Sequence, residues 1–454
     1  MNPLIFREYD IRGKADSDLS DEVTENIGRA FGTILVRAGK KRIVVGRDCR
    51  LSSPRLHAAL TRGLLSTGLS IVDIGVGPTP AMYFSVFHLD LDGGVQITGS
   101  HNPSPDNGFK MMKGKVTLAG GEISSIRELI EKSDYETADG GTSEDYDPIP
   151  AYCGFVKGNV RLGERKLKVA IDAGNGAGGP TALAALRTVG VEPVAMFCDM
   201  DGNFPNHHPD PSMPENVADV TERVLADGLD LGIAYDGDAD RIGVIDDKGN
   251  VLWGDRLMIL LSRHILTRHP GAAILGEVKC SQTLYDDIAE HGGRPIIWKT
   301  GHSLIKRKMK EEKAMLAGEM SGHIFFADRF FGYDDAVYAT LRVLEILSHT
   351  DVPLSTLLAD IPVTHSTPEL RVDCDDATKF DIVDRVLSHY RGSHEVLDID
   401  GARIQFSGGW GLVRASNTQA ALVLRFEAGT QYRLDEIRSE VEGVVEQARQ
   451  ATVG

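Results

Sequence analysis

The chain has 454 residues, 42% of them hydrophobic and 25% charged, which indicates a folded protein of about two to four domains. The net charge of −17 argues against a general nucleic-acid binder, because binding to a phosphate backbone requires a basic surface. An anionic small molecule is still compatible with this charge, since a local basic pocket can lie on an acidic protein.

The cysteines and the N-terminus indicate the compartment. The five cysteines are widely spaced and form no CxxC pair, which predicts reduced thiols and not a disulfide framework or a zinc site. The first residues, MNPLIFREYDIRG, lack the apolar segment of a signal peptide, and no run of about 18 apolar residues predicts a membrane span. We therefore expect a cytoplasmic protein that contacts neither nucleic acid nor a membrane.

Short β-branched runs alternate with amphipathic helical patterns along most of the chain, which indicates α/β domains with largely parallel strands. The first predicted domain spans residues 1–153. Its predicted elements are strands at 41–48, 70–75 and 94–98 and a helix at 53–67. Residues 137–149 are rich in Gly, Asp, Ser and Pro and are predicted to form a connection.

The second predicted domain, residues 154–254, and the third, residues 255–365, repeat this order of elements. The second contains strands at 167–172 and 229–235 and a hairpin at 241–253. The third contains helices at 256–267, 282–291 and 334–348 and strands at 272–278, 294–298 and 315–317. The similar size and order of the first three blocks predicts that they are related units.

The last predicted domain, residues 366–454, differs from the others. Helices at 377–390 and 434–449 lie around strand-like runs, which predicts a smaller α+β domain with antiparallel strands.

Residues 97–110, ITGSHNPSPDNGFK, are predicted to form a loop after a strand. This position puts Ser100 and His101 at the C-terminal edge of a sheet, where α/β proteins bind ligands. A serine hydroxyl is a weak nucleophile without help, but a stored phosphoserine carries a phosphoryl group ready for transfer. A polar turn with Asn-Pro punctuation explains the loop equally well when it is considered alone.

Residues 232–245, GIAYDGDADRIGVI, contain three aspartates spaced by two: Asp236, Asp238 and Asp240. On an extended backbone this spacing points three carboxylates to one side, and such a group suits Mg²⁺ with a phosphate in its shell. An EF-hand is excluded because Arg241 and Asp247 stand where that loop requires Gly and Glu. A solvated acidic turn is disfavoured by the apolar runs on both sides.

Two further segments have side chains suited to a sugar phosphate. In LAGEMSGHI, Glu319, Ser321 and His323 combine acceptors and donors for hydroxyl groups, although a buried structural histidine is as good an explanation of His323. In RASNTQAALVLR, Arg414 precedes Ser416, Asn417 and Thr418, a combination that binds a phosphate dianion without a metal. A helix cap or a turn before a strand explains this second segment equally well.

Together these motifs identify a family resemblance. TGSHNP with GFK, DGDADR, GEMSGH and RASNT occur in the order and at roughly the distances seen in the α-D-phosphohexomutases, and YDIRG and GRDCRLSS fit as well. The chain resembles most the bacterial phosphomannomutase/phosphoglucomutase branch, because phosphoglucosamine mutases typically carry a GEQSGH-like form where this chain has Met320.

The resemblance implies a fold of four domains around a central cleft, three of them related α/β units and the fourth a smaller α+β domain. It implies that Ser100 is the phosphoserine and that Ser100, Asp236, Asp238 and Asp240 hold Mg²⁺. The other implied catalytic residues are His101, Lys110, Arg241 and His302. The implied substrate-binding residues are Tyr9, Arg12, Lys279, Gly301, Glu319, Ser321, His323, Arg414, Ser416, Asn417 and Thr418.

The expected activity is interconversion of hexose 1-phosphate and hexose 6-phosphate, of mannose or glucose or both, through a 1,6-bisphosphate that also serves as activator. The expected partners are hexose phosphates, and the expected assembly is a monomer or a weak homodimer. Three alternatives remain: a phosphoglucosamine mutase, a Mg²⁺-dependent sugar phosphatase with an aspartyl nucleophile, and a non-catalytic sugar-phosphate or metal sensor. The set of Ser100, three aspartates and Arg414 argues against a sensor, because a binding protein has no need of a phosphorylatable serine beside a metal.

Overall fold

The computed structural model describes residues 1–417 and 419–453 and contains four separate β-sheets. The first three sheets are mixed and contain parallel strand pairs, whereas all strand pairs of the fourth are antiparallel. The predicted fold class, three α/β domains followed by a smaller α+β domain, is therefore confirmed. The domain boundaries stay a prediction; the helix Ile149–Asn159 crosses the first of them and belongs with the second domain, where it packs against the helix Gly179–Thr188.

The first domain is a seven-stranded sheet with helices on both faces. Its elements are β1 (Ile11–Lys14), α1 (Asp21–Arg37), β2 (Arg42–Arg47), α2 (Ser53–Leu65), β3 (Ser70–Val76), α3 (Thr79–His88), β4 (Gly93–Ile97), β5 (Asp106–Lys113), β6 (Val116–Thr117), α4 (Gly121–Lys132) and β7 (Ser143–Asp145). The strand order is β1-β5-β4-β2-β3-β7, with β6 beside β5. Since β2 and β4 are parallel, their C-terminal ends lie at the same edge of the sheet.

The second and third domains have smaller sheets, in the orders β12-β11-β10-β8-β9 and β14-β13-β15-β16. The second contains α5 (Ile149–Asn159), β8 (Val169–Asp172), α6 (Gly179–Thr188), β9 (Val194–Met196), α7 (Ala218–Asp227), β10 (Leu231–Tyr235), β11 (Ile242–Asp246) and β12 (Val251–Leu252). The third contains α8 (Gly254–Leu266), β13 (Ala273–Glu277), α9 (Gln282–Glu290), β14 (Arg294–Trp298), α10 (His302–Glu312), β15 (Leu316–Gly318), β16 (Ile324–Phe326), α11 (Ala336–Ser348) and α12 (Leu354–Leu357).

The fourth domain has strand order β17-β22-β21-β20-β19, with β18 beside β22. Its elements are β17 (His365–Ser366), β18 (Leu370–Asp373), α13 (Lys379–Tyr390), β19 (Val396–Leu397), β20 (Ala402–Phe406), β21 (Gly409–Ala415), β22 (Ala421–Ala428) and α14 (Gln431–Val453). None of the helices in residues 1–417 and 419–453 combines the length and the apolar character needed to cross a membrane.

The hydrophobic core shows how the domains are joined. The largest cluster runs through the first three domains, and the buried residues 81–84 and 86 of α3 belong to it together with strands of the second and third sheets. The fourth domain has its own core, made by α13, α14 and its sheet. Burial of apolar side chains is the main stabilising term in folding, so the first three domains form a more continuous unit than the fourth.

Two predicted connections were too long. Residues 106–110 belong to β5, which pairs antiparallel with both β4 and β1, so the loop after β4 is limited to residues 98–105. Residues 137–149 include β7, a short exposed strand that pairs with β3, and the start of α5. In both cases pairing with distant strands, which the local composition does not reveal, decides the conformation.

Candidate active site

Ser100 lies in the loop of residues 98–105, here called the serine loop, between β4 and β5. Its side chain is 2% exposed, and its backbone has φ 48°, in the left-handed region that few residues other than glycine adopt. Its Oγ donates a hydrogen bond of 2.8 Å to Asp236 Oδ2 and lies 3.0 Å from His101 Nδ1. The structure thus brings together two predicted motifs that are 136 residues apart in sequence.

Asp236, Asp238 and Asp240, here called the aspartate cluster, lie in the loop between β10 and β11, and all three are fully buried. The backbone N–H groups of Asp240 and Arg241 donate to Asp236 Oδ1, which fixes the first carboxylate. Gly237 separates the first two, and a Cβ at that position would lie 2.4 Å from the carbonyl oxygen of Ser100. Glycine is therefore required for the close approach of the two loops.

Lys110 projects from β5 into the aspartate cluster. Its Nζ lies 2.8 Å from Asp238 Oδ2 and also donates a hydrogen bond to Asp240 Oδ2, while Thr79 at the start of α3 donates to Asp238. One buried ammonium group therefore offsets part of the negative charge of three buried carboxylates.

The remaining oxygens of the aspartate cluster test whether it suits a cation. Asp238 Oδ1 and Asp240 Oδ1 are buried and have no hydrogen-bond partner among the described residues. One carboxylate oxygen from each of the three aspartates lies within 4.8 Å of the others. Because an unsatisfied buried carboxylate oxygen is costly, and because hard oxygen donors suit Mg²⁺, the aspartate cluster fits a metal ion.

The pKa values reflect the crowding of like charges. Burial raises the pKa of Asp236 well above its ordinary value, and the Asp238 and Asp240 carboxylates raise it further. Burial also acts to raise the pKa of Asp238, but the charge and hydrogen bond of Lys110 outweigh it, so this pKa lies below its ordinary value. Burial acts to lower the pKa of Lys110, but the aspartates outweigh it and raise this pKa above its ordinary value.

His323 connects the aspartate cluster with the third domain. Arg241 Nε donates to His323 Nε2 at 3.0 Å, so Nε2 is an acceptor and the proton of the neutral ring lies on Nδ1. His323 Nδ1 lies 3.0 Å from Asp334 Oδ2, and Lys306 Nζ lies 3.0 Å from Asp334 Oδ1. Asp334 thus places a negative charge directly behind the histidine ring.

His302 stands at the start of α10, beside His323. The two ring centroids are 5.8 Å apart, and His302 Nδ1 is buried with no hydrogen-bond partner among the described residues. Burial, together with the charge of Lys306, holds the pKa of His302 well below its ordinary value, so the ring is neutral at physiological pH. Burial and the nearby Arg241 lower the pKa of His101 in the same direction.

The GEMSGH segment forms the turn between β15 and β16. Glu319 accepts hydrogen bonds from the Gly301 backbone N–H at 2.8 Å and from Ser321 Oγ at 3.1 Å. A Cβ at Gly301, which has φ 125°, would lie 2.5 Å from the Tyr9 ring, so glycine is required there. The structure therefore brings Gly301, Glu319 and Ser321 together with Tyr9.

Two predicted substrate-binding cations, Arg414 and Lys279, are each paired with a carboxylate. Arg414 Nε lies 3.0 Å from Asp400 Oδ2, and Lys279 Nζ lies 3.0 Å from Glu369 Oε2. These are here called the phosphate-side pairs. The charge of Lys279 lowers the pKa of Glu369 to about 2. Burial acts to lower the pKa of Lys279, but the carboxylates around it raise that pKa above its ordinary value.

Tyr9 joins the first, third and fourth domains. Its hydroxyl donates to the Thr300 carbonyl at 2.8 Å and accepts from Asn417 Nδ2 at 2.6 Å. Ser416 lies beside Asn417 at the end of β21, with its backbone N–H bound to the Ala421 carbonyl. Thr418, the remaining predicted residue of this segment, lies outside the described residues.

Arg12, predicted to bind substrate with Tyr9, lies elsewhere. Its guanidinium donates to Asp10 and, at 2.8 Å, to Asn102 Oδ1 in the serine loop. Arg12 is therefore next to Ser100 and not next to Arg414. Substrate binding by this residue stays a prediction.

Several polar residues of the site were not singled out from the sequence. They are Arg50 behind the serine loop, Thr79 on Asp238, Glu277 and Glu369 on Lys279, Asp334 on His323 and Asp400 on Arg414. Each is a single charged or polar residue without a local pattern. The sequence signals that were available are position, since Glu277 ends β13, and the GRDCRLSS segment, which contains Arg50.

Domain models of one family match consecutive parts of the chain. The phosphoglucomutase/phosphomannomutase α/β/α domain I matches residues 3–137, domain II matches 150–249, domain III matches 253–364, and the C-terminal domain matches 369–444.

Full-length relatives agree with these matches. A phosphomannomutase/phosphoglucomutase of Pseudomonas putida is 45% identical over 435 residues, which are 96% of this chain and 94% of that protein. A phosphoglucomutase of Neisseria gonorrhoeae is 44% identical over 446 residues, which are 97% and 96% of the two chains. The crystal structure of a phosphoglucomutase/phosphomannomutase family protein from Burkholderia thailandensis is similar with a TM-score of 0.93 and 41% identity, covering 99% and 98%.

Proposed function

Because the chain belongs to the phosphoglucomutase/phosphomannomutase family, we propose that it interconverts hexose 1-phosphate and hexose 6-phosphate, with mannose and glucose phosphates as substrates. The enzyme is an isomerase, an intramolecular phosphotransferase. The observation that carries the proposal is the contact of Ser100 Oγ with Asp236 Oδ2, beside two buried carboxylate oxygens without a partner among the described residues.

Ser100 is the proposed carrier of the phosphoryl group. In the first half-reaction, a free hydroxyl of the bound sugar phosphate attacks the phosphorus of phospho-Ser100. The bond from phosphorus to Ser100 Oγ breaks, and the new bond gives a hexose 1,6-bisphosphate. The intermediate reorients, and in the second half-reaction Ser100 Oγ attacks the phosphorus of its other phosphate. The bond from that phosphorus to the sugar oxygen breaks, which leaves the isomeric monophosphate and phospho-Ser100. Added hexose 1,6-bisphosphate is expected to activate the enzyme by phosphorylating Ser100.

The aspartate cluster, together with the phosphate on Ser100, would hold Mg²⁺, which when bound neutralises charge on the transferring group. Lys110 and Arg241 are proposed to contact the phosphoryl oxygens or to move protons beside them. Phosphoryl transfer depends mainly on positioning and charge neutralisation, so these cations are the principal contribution of the chain at this end of the site.

The attacking sugar hydroxyl must lose a proton. His302 is the proposed acceptor, because its ring is neutral and its buried Nδ1 has no partner among the described residues. His101, which lies 3.0 Å from Ser100 Oγ, is proposed to exchange a proton with that oxygen. The residues proposed to contact the sugar are Glu319, Ser321 and His323, together with Gly301. The first three lie in one turn, and the backbone N–H of Gly301 donates a hydrogen bond to Glu319, which supports this role.

The non-reacting phosphate is proposed to bind to Lys279, Arg414, Ser416, Asn417 and Thr418, with Tyr9 and Arg12 closing the site. A guanidinium with adjacent hydroxyl and amide groups recognises a phosphate dianion and not the ring that carries it. Such a cradle accepts either the 1-phosphate or the 6-phosphate end, which the two half-reactions require.

A ³¹P NMR time course tests the proposal. The full chain with Mg²⁺ and a trace of glucose 1,6-bisphosphate is offered mannose 1-phosphate, glucose 1-phosphate or glucosamine 1-phosphate in separate tubes. Growth of a 6-phosphate signal from mannose or glucose 1-phosphate, without inorganic phosphate, is the expected result, and the initial rates rank the sugars.

The other outcomes contradict the proposal in different ways. Inorganic phosphate as the main product would identify a phosphatase with an aspartyl nucleophile. Conversion of glucosamine 1-phosphate alone would identify a phosphoglucosamine mutase. No change in any tube would leave a binding role for the site.

A further inference from the structure

Arg50 is a buried charge to which the reaction proposed above assigns no role. It follows β2 at the same sheet edge as the serine loop, and its side chain is 1% exposed. Arginine is rarely buried to this extent unless it is paired, because its charge cannot be removed by deprotonation. The partners of Arg50 therefore indicate what it stabilises.

The guanidinium of Arg50 binds four backbone carbonyl oxygens of one short segment. Nη2 donates to the carbonyls of Ser100 and Asn102, at 2.7 and 2.6 Å. Nη1 donates to the carbonyls of Pro103 and Asp106, at 2.8 and 3.0 Å. A guanidinium has four terminal N–H groups in a fixed plane, and this segment uses all four.

The chain also fixes the position of the guanidinium itself. Nε lies 3.3 Å from Asp48 Oδ2, and the same carboxylate oxygen accepts from the Gly99 backbone N–H at 3.0 Å. A Cβ at Gly99 would lie 2.4 Å from Arg50 Nε, so glycine leaves the room that the guanidinium occupies. From the second domain, the ring of Phe204 lies 5.2 Å from the guanidinium carbon.

Ser100 needs such support. Its φ of 48° is a conformation that persists in a non-glycine residue only when surrounding contacts fix it. The carbonyl of Ser100 lies between Arg50 and Gly237 of the aspartate-cluster loop, whose Cβ position is only 2.4 Å from that oxygen. A shift of this carbonyl would therefore change both the direction of Ser100 Oγ and the spacing of the two loops.

We propose that Arg50 is a positioning residue for phosphoryl transfer: by binding three carbonyls of the serine loop and the carbonyl of Asp106 at the start of β5, it holds Ser100 Oγ in register with the aspartate cluster. This role rests on the proposed function of Ser100 as the phosphoryl carrier. Among the described residues, the guanidinium of Arg50 binds backbone carbonyls, pairs with Asp48 and faces Phe204, so it acts on the reaction through Ser100 and not on the sugar phosphate. Its effect should therefore be on kcat and not on KM.

The test is Arg50→Lys in the full chain, with Arg342→Lys as the matched control. Lysine keeps the positive charge beside Asp48, but a single ammonium cannot reproduce four hydrogen bonds in one plane. Arg342 is also 1% exposed and binds the Asp328 carbonyl and carboxylate within the third domain, away from the serine loop. Both variants should lose similar thermal stability, so a difference in turnover between them isolates positioning.

The expected result is a fall in kcat of about 100-fold for Arg50→Lys, with KM for the hexose phosphate changed less than about threefold. Arg342→Lys should keep kcat within about twofold of wild type. Equal kcat values for the two variants would overturn the proposal and leave Arg50 a structural residue. A rise in KM with unchanged kcat would overturn it as well.

Failure of Arg50→Lys to fold does not end the test. Gly99→Ala keeps the arginine, but its methyl group would lie 2.4 Å from Arg50 Nε and 2.8 Å from the Asp106 carbonyl that Arg50 binds. It should therefore disturb the same contacts and also lower kcat at unchanged KM. Wild-type kcat in a folded Gly99→Ala variant would then contradict the proposal. Absence of mutase turnover in the wild-type enzyme would instead contradict the proposed function, so the two failures are distinguishable.

Discussion

The aspartate cluster and the phosphate-side pairs are both buried and charged, but their charge balance is opposite. In the aspartate cluster, three carboxylates face one lysine, and two of their oxygens have no hydrogen-bond partner among the described residues. In the phosphate-side pairs, each cation already has its own carboxylate, at 3.0 Å in both cases. The first region is completed by adding a cation, whereas the second must exchange a carboxylate for a phosphate.

This difference separates the two thermodynamic roles of the site. Adding a cation to unsatisfied carboxylates releases the cost of burying them, so the first region should couple metal binding to stability and to chemistry. Exchanging one anion for another on Arg414 and Lys279 yields only the difference between two ion pairs. The second region should therefore give moderate affinity and easy release of either end of the sugar phosphate, which a reorienting intermediate requires.

Ser100→Ala is expected to have the largest effect on turnover. A small effect would contradict the assignment of the chemical step to the region of the aspartate cluster. Without Oγ the phosphoryl group has no carrier, so turnover should fall at least about 10³-fold while the fold is retained. The measurement is the mutase rate, together with acid-stable ³²P labelling of the protein by labelled glucose 1,6-bisphosphate. Ser104→Ala, at an exposed position of the same serine loop, is the control and should keep both rate and label. Turnover by Ser100→Ala near that of the control would refute the carrier.

Asp238→Asn tests the first region directly. The amide replaces a carboxylate whose Oδ1 has no partner among the described residues, so the variant should bind Mg²⁺ more weakly and lose about 10²- to 10³-fold in kcat. Calorimetric titration with Mg²⁺, and the Mg²⁺-dependent rise of Tm, report the binding. Removal of the metal from the wild-type enzyme with EDTA should abolish turnover, and added Mg²⁺ should restore it.

The control for that variant is Asp246→Asn in the adjacent hairpin. Asp246 is also buried, but the residues of its own turn already bind both of its carboxylate oxygens. It should lose stability without losing Mg²⁺ affinity. Equal loss of Mg²⁺ affinity in the two variants would show that burial of charge, and not the aspartate cluster, decides metal binding.

The sequence could predict the aspartate cluster better than the phosphate-side pairs, for a physical reason. Three aspartates spaced by two form a pattern within five residues, and the loop with Gly99, Ser100, Pro103 and Pro105 marks a sheet edge. The partners of Arg414 and Lys279, by contrast, are single acidic residues on other segments, brought near by the packing of the fourth domain. The GFK motif likewise indicates Lys110 as a candidate residue. Its position beside the aspartates could not be predicted, because it depends on the pairing of β5 with β4 and β1.

Arg414→Lys sharpens the comparison at the second region. Loss of the planar fork removes one or two charge-assisted hydrogen bonds to the phosphate, so KM should rise about 10- to 100-fold. Because the contact is proposed to be equal in ground and transition states, kcat should change less than about threefold. The control is Arg371→Lys. Arg371 is an exposed arginine of the same domain that pairs with Glu369, and its replacement should change neither KM nor kcat. A fall in kcat at unchanged KM would place Arg414 in the chemical step instead.

The Lys279–Glu369 pair predicts a pH dependence of stability. The folded pKa of Glu369 is about 2 against an ordinary value of 4.5, so the folded state binds the proton less tightly. Its stabilising contribution, up to about 3 kcal/mol, is present above pH 4.5 and is lost as the pH falls towards 2. Glu369→Gln should therefore be less stable than wild type in urea unfolding at pH 7, with the two free energies converging in acid. If the free energies of unfolding of wild type and variant differed by the same amount at all pH values, ionisation of Glu369 would not be the source of the stabilisation.

Tyr9→Phe should have the smallest effect, because it alters a contact of the first domain with the third and fourth domains and leaves both regions themselves unchanged. The hydroxyl joins the Thr300 carbonyl and the Asn417 amide, and its loss should cost about 1 kcal/mol in urea unfolding. Removal of the contact with Asn417 loosens the fourth domain, so KM should rise about two- to threefold while kcat is kept. Tyr432→Phe, at an exposed position of α14, is the control and should change nothing. A larger effect on kcat than on KM would mean that Tyr9 positions the reacting groups, and the two regions would then act as one.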